Sequence, residues 1–196
     1  DSWYTVTLDG RAIKTPLGRT LAVPSEYLAQ AVAVEWNSVS TSIQPSQMPL
    51  MTISCTVLDQ VSSQPDHYRD SILRFLKTDT VCYWADPTDD RVLYNTQKTA
   101  WKRLHETFVP SFCNGAIPAQ IFGNDDMLFL KKGTSIGLPH PPQLLLDCDR
   151  WIASLDAWHL ACLYIFCTES KSFLVGASLL LRFWSVRDAI RAARSE

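Results

Sequence analysis

The chain lacks the residue patterns from which most catalysis and cofactor chemistry starts. None of its seven glycines stands in a G-x-x-x-x-G-K or G-x-G-x-x-G spacing, so neither familiar backbone cradle for nucleotide phosphates is encoded. No G-x-S-x-G elbow is present to expose a nucleophilic serine. The histidines, His67, His105, His140 and His159, are scattered, and none stands beside another His, Asp, Glu or Cys at the spacing of a metal site. No metal and no cofactor is therefore expected. The six cysteines form no C-x-x-C pair, and Cys162 and Cys167, five apart, fall on different faces of a helix. They are too few, in too long a chain, for a disulfide-dense secreted scaffold, so the thiols are expected to be buried and reduced. Cys82, between Asp79 and Asp86, is the thiol that could be drawn as a nucleophile. Neighbouring carboxylates raise a thiol's pKa, however, and no histidine is near it in sequence. The reading is not an enzyme.

Excess charge and long apolar runs are also missing. Eighteen Lys and Arg against twenty Asp and Glu leave a formal net charge of -2, which excludes nucleic-acid binding driven by bulk charge. The longest charge-free apolar run, Phe173 to Leu181, is about half of what a membrane span needs. No secretory leader is evident, and Asp1 in place of an initiator Met reads as a trimmed or processed end of a soluble protein.

What is present is apolar and patterned. With 196 residues, 46% of them hydrophobic, the chain can build one large core or two small ones. Trp3 to Leu8 alternates, with Tyr4, Val6 and Leu8 on one side, as a strand does. Asp9-Gly10 suits a two-residue hairpin turn because both residues tolerate positive φ. Arg11 to Lys14 is the returning strand, Thr15 to Gly18 a second turn, and Arg19 to Val23 a third strand. Ser25 is a suitable helix N-cap with Glu26 in the first turn, and Leu28, Val32, Trp36 and Val39 make an apolar stripe at helical spacing. Trp36 reads either as a core anchor or as part of a binding surface. Thr41 to Pro49, polar and carrying Pro45 and Pro49, is the expected linker.

Beyond the linker the periodicity is mainly helical. Met51, Cys55, Leu58 and Ser62 share a face, although β-branched residues among them weaken a helix. Asp66 is placed to cap a helix to Lys77 with Tyr68, Ile72, Phe75 and Leu76 inward. Thr78 to Ala85 is too apolar for a free loop and reads as a buried helix end or a short strand. Arg91 to Phe108 is a helix. Ala116 to Phe122 and Met127 to Leu130 are strand-like around Gly123-Asn-Asp125, a hairpin pattern. After the proline-rich hinge Leu138 to Pro142, helices follow over 143–155 and 158–168, meeting at a capping Asp156. Phe173 to Phe183 is apolar all round, as a buried central helix is, and Gly176, Ala177 and Ser178 would let a neighbour come close. Ser185 with Asp188 forms a capping box for a last helix whose Arg187, Arg191 and Arg194 line one face. The architecture expected is α+β: a small β-meander with one helix over 1–49, linker included, then a mainly helical domain over 50–196 with a β-hairpin near 116–130. Seven Trp, six Tyr and eight Phe are many for a non-enzyme, and any exposed cluster of them would mark a protein partner.

An ordered series of these residues resembles a known family. Leu8-Asp-Gly-Arg11, Lys14-Thr-Pro16, Leu21-x-x-Pro24, Leu28-Ala29, Glu35-Trp36, Ile43-x-Pro45 and Met48-Pro49 carry it at the front. Asp59, Thr78-Asp-Thr-Val-Cys-Tyr83, Leu93, Gln97, Trp101 and Ser172-Phe-Leu-Val-Gly-Ala177 continue it. Together they resemble the mitochondrial assembly chaperones for the alpha subunit of the ATP synthase F1 sector. The resemblance implies a β-rich N-terminal domain, a helical C-terminal domain, a place in the mitochondrial matrix, and a task. Such a chaperone binds the unassembled alpha subunit and shields its interface until beta joins, without hydrolysing nucleotide.

Two departures from the family bear on that task. The acidic segment, the Gln and the Trp-Gly that continue the family are not reached before Ser195-Glu196, and Gly115 to Pro142 matches it poorly. They motivate an alternative, a diverged member that is a permanent accessory subunit of a large mitochondrial complex such as ATP synthase. A small-molecule enzyme with a pocket between the domains is the least favoured reading. Partner-binding residues expected from this reading are Trp36 and Asp79, at matching positions flanking the expected junction, Arg187 and Arg191 on the basic helix, and Glu196 where the acidic segment would begin. No membrane span and no nucleic-acid partner is expected.

Overall fold

The computed structural model describes residues 2–123 and 137–195. The chain divides into two compact units, Asp1–Pro65 and Asp66–Glu196. Its architecture is α+β, with short strands near the N-terminus and helices through the rest.

In the first unit, β1 (Tyr4–Thr5) pairs antiparallel with β4 (Ala22–Val23), and β2 (Thr7–Leu8) pairs antiparallel with β3 (Arg11–Ala12). Asp9 and Gly10 have φ of 50° and 77°, the left-handed pair that the two-residue turn requires. Beyond the hairpin the ladder continues as Ile13 N–H donates to the Val6 carbonyl (3.0 Å) and Leu21 N–H to the Ile13 carbonyl (2.9 Å). Val6, Ile13, Leu21 and Val23 are the buried face of this meander. Leu8, expected on that face with Tyr4 and Val6, is instead exposed. It sits in the hairpin tip, where β2 pairs with β3 and no third strand crosses among the described residues.

Helix α1 (Glu26–Asn37) buries Ala29 and Val32. Ser25 holds the cap position in an extended conformation without donating or accepting through its side chain, and Val39 falls beyond the last turn. After one 3-10 turn at Pro45–Gln47 the chain enters α2 (Pro49–Thr56) with Pro49 as its first residue, where the missing N–H is not needed. Glu35 explains why this second helix belongs to the first unit rather than to the helical part expected from position 50 onward. Its Oε1 accepts from Leu50 N–H and its Oε2 from Met51 N–H, each at 2.8 Å. One carboxylate thus caps the exposed N–H groups of α2 and favours its positive end. α2 then widens into a π turn at Val57–Val61.

In the second unit, α3 (Pro65–Lys77) buries Tyr68, Ile72 and Leu76, one stripe at helical spacing. Its Arg69 forms a bidentate pair with Asp149 (2.7 and 2.5 Å), the geometry that a guanidinium and a carboxylate favour. Thr78 to Ala85 contains both structures read for it: a 3-10 turn at Thr80–Cys82 and then β5 (Tyr83–Trp84). α4 (Arg91–Arg103) passes through a π segment, Leu104–Phe108, into α5 (Val109–Phe112). Of the hairpin expected near 116–130, β6 (Ile121–Phe122) is formed, and it pairs in parallel with β5. Met127 to Leu130 lies outside the described residues.

The remaining helices are α6 (Pro142–Ala153), α7 (Ala157–Ser170), α8 (Phe173–Leu180) and α9 (Val186–Ala193). Asp156 caps α7 by accepting from Trp158 and His159 N–H, and the Ser185–Asp188 capping box opens α9 as its sequence requires. α8 is buried on every residue from Phe173 to Ser178 and lies against α7. It is the core of the unit. It ends before Phe183, as Arg182 takes a φ of 56°. No described helix is long and apolar enough to cross a membrane.

Candidate partner-binding groove

The first unit carries a groove between the loop after β3, the segment from Ile43 to Met48, and α2. Its volume is about 530 Å³. Pro16, Leu17, Trp36, Ile43, Met48 and Met51 supply its apolar walls. Leu17 and Ile43 are 69% and 60% exposed, whereas Met48 is buried. Large aliphatic side chains at that exposure, beside a methionine-rich wall, form the kind of adaptable apolar surface that proteins use for other proteins.

The groove is held open by a polar joint at its floor. The π turn carries Asp59 inward, where Oδ1 accepts from the Thr15 hydroxyl (2.7 Å) and Oδ2 from Leu17 N–H (3.1 Å). Thr15 Oγ1 in turn accepts from Arg19 N–H (3.1 Å), and the Arg19 guanidinium reaches the Leu58 carbonyl. One buried carboxylate thereby fixes the Thr15–Gly18 turn on α2. Asp59→Ala leaves a buried hydroxyl and a backbone N–H without their acceptor, and a loss of about 2 kcal/mol is expected. Urea unfolding of the variant checks this, and an unchanged midpoint would remove the joint from the explanation of the groove.

Trp36 is half-buried on α1 and lines both this groove and an adjoining cavity of about 620 Å³ formed with Leu8, Arg11, Ile13 and Lys14. Its indole Nε1 is buried without a hydrogen-bond partner among the described residues. The ring thus packs in the unit and also lines the groove.

The other expected partner residues lie in the second unit. Asp79 is fully buried. It accepts from Val81 N–H (3.3 Å) and from Leu174 N–H (2.8 Å), so it caps the 3-10 turn and holds the first turn of α8. Burial pushes its carboxyl up to about 7, against hydrogen bonds from Ser172, Leu174, Val81 and Phe173 that favour the charged form. Its partners are therefore internal, and a direct contact with another protein is corrected to a structural role. Arg187 and Arg191 are exposed on α9, and Arg191 borders a shallow depression with Val92, Thr96 and Thr99 of α4. Glu196 lies outside the described residues.

All six cysteine thiols are free; Cys55 and Cys162 are half-buried and the others buried. Burial pushes the Cys82 thiol well up, with Asp79 adding to it, the opposite of an activated nucleophile. Among the described residues no group of three His, Cys, Asp or Glu side chains is placed to hold a metal ion. Sequence reasoning missed the groove itself. Its signal was present in Ile43-x-Pro45 and Met48-Pro49, which read as linker because prolines dominate them.

A family model described as the ATP12 chaperone protein matches residues 1–109, more than half of the chain. The chain belongs to the ATP12 chaperone family. This ATP12-family chain is 27% identical over 182 residues to "Protein atp12, mitochondrial" of Schizosaccharomyces pombe, covering 89% of this chain and 59% of that protein. It is 27% identical to "Protein ATP12, mitochondrial" of Saccharomyces cerevisiae, covering 96% of this chain and 63% of that protein. It therefore spans about three fifths of the length of the curated yeast relatives it matches. The crystal structure of Atp12 from Paracoccus denitrificans superposes with a TM-score of 0.84 at 27% identity, over 97% of this chain and 76% of that one.

Proposed function

We propose that this ATP12-family chain is a non-enzymatic assembly chaperone for the mitochondrial ATP synthase, acting in the matrix on the unassembled alpha subunit. The observation that carries the reading is the family match over residues 1–109, which includes every groove-lining residue. The physical requirement is simple. An orphan subunit exposes the apolar interface that its partner will later cover, and such a surface aggregates. A binder that prefers the assembly-competent form holds it in solution by mass action and releases it when beta offers a better surface. That task needs an apolar surface and no reacting groups.

The test is dilution of denatured alpha subunit into buffer with and without the purified chain, followed by light scattering. Near-stoichiometric suppression of aggregation is expected, with the chain absent from the finished complex. A second reading, a permanent accessory subunit of a large mitochondrial complex, takes its support from the end of the family match at residue 109, before the divergent Gly115–Pro142 segment. Stoichiometric retention of the chain in the mature particle would establish that reading and exclude the transient chaperone.

A further inference from the structure

We propose that the trough between α4 and α9 of the second unit receives an acidic amphipathic helix of the client protein. The proposal rests on the chaperone reading above and adds the surface that meets the client and the chemistry that the client presents there.

The trough has a volume of about 550 Å³. One face of α4, from Val92 to Ala100, lines it together with Arg191 and Ser195. Trp101 fixes the two helices to each other, its indole N–H donating to the Ala192 carbonyl (3.0 Å). Arg191 is the charged side chain of the lining, and no carboxylate lines the trough among the described residues. The hydroxyls of Thr96, Thr99 and Ser195 donate to carbonyls of Val92 (2.9 Å), Asn95 (2.8 Å) and Arg191 (2.8 Å). The donors left for a ligand are the Asn95 amide and the Arg191 guanidinium, and a carboxylate accepts from both kinds.

The surroundings carry the same sign. α4 holds Arg91, Lys98, Lys102 and Arg103 and no acid, and α9 holds Arg187 and Arg191 against Asp188. With Asp89, Asp90, Glu106, Arg182 and Arg194 at their ends, the two helices bear eight basic and four acidic side chains, in a chain whose net charge is -2. All eight basic residues are exposed, and none is in an ion pair among the described residues. The Ser185 hydroxyl, and then Arg103 and Arg191 nearby, hold the Asp188 carboxyl below the usual carboxylate range. One acid thus stands between two guanidinium groups, and the positive surplus remains. The lining also decides the class of anion. It holds no aromatic ring on which a base could stack. Val186 and Ile190, the exposed aliphatic residues of the eight-residue α9, are too little to enter a bilayer. A trough flanked by two helices seats a third. An acidic amphipathic helix meets Val92 and Ala100 with its aliphatic face and the bordering cations with its carboxylates.

Fluorescence anisotropy of labelled peptides tests this with the whole chain. One probe is a helical peptide with Leu along one face and Glu on both flanks. A second has Lys in place of every Glu, and a third scrambles the first so that no apolar face forms. The first is expected to bind, more weakly as salt rises, and the others to bind at least about tenfold more weakly. Arg187→Glu with Arg191→Glu is expected to weaken the first probe by about tenfold. Val92→Asp should weaken it too, since an aliphatic wall becomes a repelling one. All three positions are exposed, so the variants are expected to fold, which circular dichroism checks. Equal binding of the basic or the scrambled probe would overturn the proposal, as would an unaltered affinity in the double charge reversal. Tighter binding of single-stranded RNA or of phosphatidylserine vesicles at the same salt would overturn it as well, the occupant then being a nucleic acid or a membrane. So would a concentration-dependent dimer that the charge reversal makes monomeric, since the occupant would be a second copy. Loss of probe binding when the gene product is made to its natural stop codon would make this polypeptide its own occupant and equally end the proposal. The alpha-subunit aggregation assay separates the two claims. Suppression by wild type that persists undiminished in the double charge reversal leaves the chaperone standing and removes the trough. No suppression by wild type removes the chaperone reading itself.

Discussion

Replacing Gly176 by Val is expected to lower the stability of the second unit by about 3 kcal/mol, the upper range for overpacking a closed core. Gly176 sits in the middle of α8 where that helix meets α7. A Cβ there would stand 2.8 Å from Cys167 Sγ and 3.2 Å from Cys167 N. The thiol can turn away, but the backbone nitrogen belongs to α7 and moves only with the helix. The expected order is therefore Gly, then Ala, then Val. Ala recovers about 1 kcal/mol of helix propensity against its smaller clash, so its net loss is reduced. Cys167→Ala in the Gly176→Ala background separates the two contacts. Removal of Sγ relieves the nearer one, so the double variant should be more stable than the sum of the single changes by about 1 kcal/mol. Urea unfolding followed by far-UV circular dichroism measures the cycle. Additive effects would show that the thiol is not what excludes the methyl group.

The small residues Gly176, Ala177 and Ser178 were legible as a close-approach surface because their meaning is local. A helix apolar on every side has to be buried, and glycine in such a helix is there for a neighbour. The same holds for Asp9-Gly10, where the turn geometry demands positive φ at both residues, and for Ser185 with Asp188, whose reciprocal cap is complete within four residues. What the sequence hid was held together by long separations. Glu35 reaches the N-terminus of α2 fifteen and sixteen residues on, and Asp59 receives Thr15 from forty-four residues back. Neither spacing has a period. The proline-rich stretch between these anchors therefore read as a linker, although it builds one wall of the groove. The parallel pairing of Tyr83–Trp84 with Ile121–Phe122 was hidden in the same way. Two-residue strands carry no alternation to detect, and a hairpin partner was the nearer choice. Trp36 stood out in the sequence as a core anchor or a surface residue, but its orphaned N–H depends on what every neighbour lacks, which no sequence pattern states.

Asp79 shows how a position prominent in the sequence acquires a different role in the fold, and its substitution carries the other large expected effect. Asp79→Ala removes the acceptor of two buried N–H groups, those of Val81 and Leu174, and leaves a small void beneath α8. Each orphaned buried donor costs about 1–3 kcal/mol, so a total loss of about 3 kcal/mol is expected at acid pH. The loss should depend on pH in a defined direction. Burial raises the Asp79 carboxyl to about 7 in the folded chain, above the 3.8 of an unfolded aspartate. The folded state therefore holds this proton more tightly than the unfolded state does. The stability due to it is fully present below about pH 4 and is lost as the pH rises to about 7. Wild type should become less stable over that interval by more than Asp79→Ala does, so the gap between them narrows from pH 5 to pH 7.5. Asp79→Asn, which keeps one acceptor oxygen and cannot ionise, should flatten the same interval while unfolding later than Asp79→Ala. Urea midpoints of the three chains at the two pH values measure this. A gap that widens with pH would mean that the carboxylate is charged in the fold and that the four hydrogen bonds outweigh its burial. If Asp79→Ala keeps wild-type stability yet fails to suppress aggregation of the alpha subunit, the residue acts on the partner after all. If stability and suppression fall together, and Asp79→Asn restores both, Asp79 serves the partner surface only by holding α8 in place.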